Sequence, residues 1–72
     1  MKDGKSIAIE IETGKSDVVR NVQQDLLSGF DKVLIIATDA RALRKVEKEL
    51  AHAGLIIPNK VDVTLRDQIA GC

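Results

Sequence analysis

Apolar and polar positions alternate over residues 6–12, Ser-Ile-Ala-Ile-Glu-Ile-Glu. The two-residue period predicts a strand with Ile7, Ile9 and Ile11 on one face and Ala8, Glu10 and Glu12 on the other. Thr13-Gly14-Lys15-Ser16 interrupts that alternation, and the period then changes. Val18, Val19, Val22 and Leu26 fall within about 100° of arc at the helical repeat, one apolar stripe of a helix. Gly29 followed by Phe30 reads as its stop, with glycine in the left-handed position and the next side chain folded back. Residues 33–37, Val-Leu-Ile-Ile-Ala, are apolar throughout. Such a run predicts a strand buried on both faces, as in a parallel sheet covered by helices.

Thr38 or Asp39 is placed to cap a second helix over residues 40–53, closed by Gly54. Residues 55–60, with Pro58-Asn59, predict a loop or a short strand followed by a turn. Val61, Val63 and Leu65 alternate with Asp62 and Thr64, a third strand, and residues 66–70 suit one last helical turn. The fold class is therefore α/β. The order β-α-β-α-β, with short connections, predicts a small, mostly parallel three-stranded sheet flanked by two helices. Residues 1–72 make one domain, and no repeat, linker or low-complexity stretch divides them. Asp3-Gly4, just before the first strand, reads either as a hairpin-turn signature with no strand ahead of it or as an initiator Met followed by an ordinary polar end.

Length and composition narrow the function classes. A 72-residue chain has a thin core, and with one Phe and no Tyr or Trp that core rests on Ile, Val, Leu and Ala. A thin core makes association attractive, so a homo-oligomer is expected. Eleven basic residues balance eleven acidic ones, which argues against a simple polybasic binder but leaves room for a local patch. No apolar run approaches the roughly 20 residues that span a bilayer, and the N-terminus has no export signal. Cys72 is the single cysteine and His52 the single histidine, too few for a disulfide framework or a zinc site. The expected setting is cytoplasmic, away from membranes.

Four groups of residues have chemical potential. Glu10 and Glu12 leave one strand face roughly 6 to 7 Å apart, close enough to want a positive partner. Lys15 is the nearest, and a divalent cation such as Mg²⁺, with its preference for carboxylate oxygens, is another. The alternative is the solvated outer face of an edge strand. Gly14, Lys15 and Ser16 suggest a phosphate loop, but the pattern needs a glycine at position 9, which is Ile. The weaker form survives: backbone N–H groups at a helix start, with Lys15 and Ser16, holding one phosphate group. Thr38 and Asp39 belong to the same carboxyl edge of a parallel sheet, where open α/β sheets bind ligands, although Asp39 also suits a plain helix cap.

On the second helix, Arg41, Arg44, Lys45 and Lys48 span about 100° of arc opposite Ala42, Leu43, Val46, Leu50 and Ala53. Four cations on one stripe suit a phosphate backbone; a solvated surface is the alternative. His52, in the last helical turn, reads as structural. Asn21, Gln23 and Gln24 read as polar surface or an interface.

The string Ile-Ala-Ile-Glu-Ile-Glu-Thr-Gly-Lys-Ser-Asp over residues 7–17, with Asn21-Val22 and Gly29-Phe30-Asp31-Lys32-Val33, resembles a known family. It is similar to the PD-(D/E)XK nuclease-like domains found in archaea, often at the C-terminal end of ATPases or helicase-like proteins of mobile elements. The resemblance covers residues 7–50. It implies a mixed sheet flanked by helices, DNA as partner, and phosphodiester hydrolysis dependent on Mg²⁺ or Mn²⁺. By this resemblance Glu10 stands as the acidic metal ligand, and Glu12 binds metal or orients water where the family usually has lysine. Lys15 then steadies the phosphate, so Glu10, Glu12 and Lys15 form the implied catalytic set. The family's upstream strand, with its first aspartate, has no counterpart here, and Asp3 falls in a predicted turn. The resemblance thus implies the second half of a nuclease-like domain, inactive as a fragment. The alternative is a non-catalytic module that dimerises or docks on DNA or protein through its helices.

Overall fold

The computed structural model describes residues 6–67. Five elements follow in order: strand β1 (Ile7–Glu12), helix α1 (Val18–Leu27), strand β2 (Lys32–Ala37), helix α2 (Ala40–His52) and strand β3 (Val61–Leu65). The Asp3-Gly4 turn lies outside the described residues. Of the predicted last turn, Arg66 and Asp67 are described and are helical.

Local chemistry sets the helix ends. The Asp17 carboxylate accepts from the Arg20 N–H at 3.2 Å to start α1, and the Asp39 carboxylate accepts from the Ala42 N–H at 2.8 Å to start α2. Each satisfies one N–H that the first helical turn leaves without a partner. Both helices stop in the same way. Phe30 N–H donates to the Asp25 carbonyl at 3.3 Å and Gly29 N–H to that of Leu26 at 3.2 Å. Leu55 N–H reaches the Leu50 carbonyl at 2.8 Å and Gly54 N–H that of Ala51 at 3.2 Å. In each case the next apolar residue, Phe30 or Leu55, turns back onto the core.

The three strands are all parallel, in the order β1-β2-β3. Ile9 pairs with Leu34 and Leu34 with Asp62; Glu12 pairs with Ala37 and Ala37 with Leu65. Two crossovers of one hand that step in the same direction put both helices on one face of the sheet. Ala8, Val33, Ile35 and Val61 on that face meet Val18 and Val22 of α1 and Val46 and Leu50 of α2, forming the core.

The opposite face has no helix over it among the described residues. Ile7, Ile9 and Ile11 are 56, 60 and 57% exposed. This corrects the expectation for β2. Val33, Ile35 and Ala37 are fully buried, but Leu34 and Ile36 are only half-buried. An unbroken apolar run is therefore no proof of two covered faces when the strand order leaves helices on one side. Among the described residues, no helix is long and apolar enough to cross a membrane.

Candidate anion-binding cleft

The carboxyl ends of the strands line up where Thr38 N–H donates to the Glu12 carbonyl at 3.0 Å. Open α/β sheets usually bind ligands at such an edge, in the crevice where successive crossovers diverge. The order β1-β2-β3 has no such point. Instead, a cleft of about 320 Å³ opens between the loop after β1 and the start of α2. Thr13, Gly14 and Lys15 line it from the loop, and Asp39, Arg41, Ala42 and Lys45 from the cap and helix. Gly14, at φ +94°, turns the chain here, with Ala42 so near that a Cβ on residue 14 would sit 3.7 Å from the Ala42 Cβ.

Three cations thus face one carboxylate. Asp39 is already engaged as the cap of α2, and Lys45 shares its charge with Glu49 at 3.3 Å. Lys15 and Arg41 make no ion pair among the described residues. Beyond the cleft, a broad groove between the helices, about 630 Å³, is bordered by Val19 of α1, by Lys45, Lys48, Glu49 and His52 of α2 and by its cap Ala53, so its two lysines sit beside one carboxylate. Lys45 belongs to both hollows, so Lys15, Arg41, Lys45 and Lys48 follow one path. Arg44 is exposed on the same helix, and Ser16 is exposed in the loop outside the cleft lining.

Glu10 and Glu12 do not line the cleft. Their face of β1 is the one under the helices, which rules out a solvated outer face. Glu12 is only 1% exposed, and its Oε2 has no hydrogen-bond partner. Burial raises its pKa, while the Gly14 N–H and the Lys45 charge pull the other way. Glu10 is half-buried, and its pKa is pushed up to about 7. A side-chain hydrogen bond to Asp25 is the main cause, followed by burial and by the charges of Asp25 and Glu12. Lys15 lines the cleft rather than acting on either glutamate.

Among the described residues no group of three His, Cys, Asp or Glu is arranged to hold a metal ion. The sequence reasoning missed Asp25. Its signal was positional: an acid seven residues after Val18 falls on the helix stripe that meets the sheet.

No family model matches the chain, and no solved structure does. A D-ribose/D-allose-binding protein from Pseudomonas aeruginosa is 37% identical over 54 residues. The match covers 75% of this chain, but the chain spans only 17% of that protein's length.

Proposed function

We propose that this chain is a non-catalytic docking module that grips the phosphate backbone of DNA through the cleft and the cationic path along α2. The observation that supports it is the meeting of Lys15, from the loop after β1, with Arg41 and Lys45 of α2 in one cleft. Residues far apart in sequence converge there, which a merely solvated charge stripe does not require. From Arg41 to Lys48 the helix rises about 10 Å, matching about three phosphates of one B-DNA strand. Contacts to about three phosphates give a salt slope near −3 in log K against log salt. A cytoplasmic setting goes with this reading. The relative's name describes sugar binding, but a cleft with three cations favours an anion over a neutral sugar.

The test is fluorescence anisotropy with a labelled DNA duplex. Lys15→Glu combined with Arg41→Glu is expected to abolish binding, while Glu10→Gln leaves it intact. An unchanged affinity in the double variant would refute the docking reading.

A second reading, the Mg²⁺-dependent nuclease-like domain with Glu10, Glu12 and Lys15 as its working residues, draws on one observation. The buried Oε2 of Glu12 lacks a partner, and a cation would satisfy it. It ranks second because Glu12 is buried, Glu10 is half-buried against Asp25, and Lys15 acts on neither carboxylate, even though Gly14 and Lys45 of the cleft both reach Glu12. Cleavage of a DNA duplex in Mg²⁺ or Mn²⁺, lost in Glu10→Gln, would reverse that ranking.

A further inference from the structure

We propose that the sheet face opposite the helices, which no described element covers, is a self-association surface, covered by the same face of a second copy of this chain. The outer row, on β1, is Ile7, Ile9 and Ile11, all more than half exposed. In the next row Leu34 stands beside Ile9, and Ile36 beside Ile11. Together they form one contiguous apolar patch of about 400 Å², within the range of the largest, often functional, patch on a monomer's surface. Parallel sheets are ordinarily covered on both faces, and here both crossovers have delivered their helices to one.

Two observations favour a second copy as the occupant. The first is charge. Lys32 and Asp62 stand on this face and pair with each other at 2.7 Å, so among the described residues apposing two copies brings no unmatched charge to the contact. The long cationic path lies on the helix side, and an acidic partner would be drawn there instead. The second is size. With its polar row included, the face offers about 500 Å² per copy, so a pair buries about 1,000 Å², the threshold for a specific interface. A two-fold contact needs a patch complementary to itself, and a row of identical isoleucines meets that demand.

Sedimentation equilibrium of the full 72-residue chain, from micromolar to millimolar concentration, tests the proposal without DNA. The expected result is a reversible monomer–dimer equilibrium. Ile9→Asp should weaken it at least about 30-fold, since the two-fold repeats the loss in both copies. Arg44→Glu with Lys48→Glu, on the helix side, should leave it unchanged. If Ile9→Asp does not fold by far-UV circular dichroism, Ile9→Ser at the same exposed position should weaken association about tenfold. A wild-type chain that stays monomeric at millimolar concentration overturns the proposal. So does a folded Ile9 variant that associates as tightly as wild type, which would move the contact to another surface.

Discussion

Glu10→Gln should make this domain more stable, and the gain should grow with pH. The carboxyl of Glu10 sits under α1 against Asp25, with its pKa raised from the ordinary 4.5 to about 7. Below about pH 4.5 the group is protonated in both folded and unfolded chains, and it costs nothing. Between about 4.5 and 7 the unfolded chain ionises first, so unfolding releases a proton and stability falls as pH rises. Above about 7 the loss is complete.

A shift of that size corresponds at most to about 3 kcal/mol. Glu10 is only half-buried, and solvent screening reduces the figure to about 1–2 kcal/mol. Glutamine removes the charge and offers an N–H to the Asp25 carboxylate. The assay is urea denaturation followed by far-UV circular dichroism, since the chain has no Trp or Tyr to report by fluorescence. At about pH 8 the variant should gain about 1–2 kcal/mol, and at about pH 4.5 the two proteins should nearly coincide. Equal stability at the higher pH, or a less stable variant, would refute an inward Glu10 paired with Asp25.

Leu50→Ala, at a fully buried position where α2 meets the sheet, should cost about 3 kcal/mol, a large part of what so small a core supplies; thermal melts read it directly. Asp39→Ala should act in two opposite directions. Losing the cap of α2 should lower stability by about 1 kcal/mol, while removing the one carboxylate that lines the cationic cleft should tighten DNA binding. Denaturation and anisotropy on the same preparation separate the two effects. Gly29→Ala should destabilise by about 1 kcal/mol, because φ +92° suits glycine and not alanine.

The β-α-β-α-β order was legible because each element has a clean period and a chemical stop. Asp39, Gly29 and Gly54 mark helix ends in the sequence and do so in the structure. Strand order was not legible, since a two-residue period divides a strand into two faces without saying which one the helices take. Hence the isoleucines of β1 are outside and its glutamates inside, and β2 is open on one side. The site was legible in pieces. Lys15 and the Arg41–Lys48 stripe each suggested phosphate, but the convergence of Lys15 with Arg41 and Lys45 depends on how α2 packs beside the loop after β1. The Glu10–Asp25 pair joins a strand to a helix, and local periodicity holds no record of such a contact.

The most direct test of the central claim is amide chemical-shift mapping of the isotope-labelled protein titrated with a short DNA duplex. The docking account predicts shifts concentrated at residues 13–15 and along residues 40–48, fading as salt is raised. Shifts centred on Glu10, Glu12 and Asp25, or spread over the isoleucine face with the cleft silent, would contradict it.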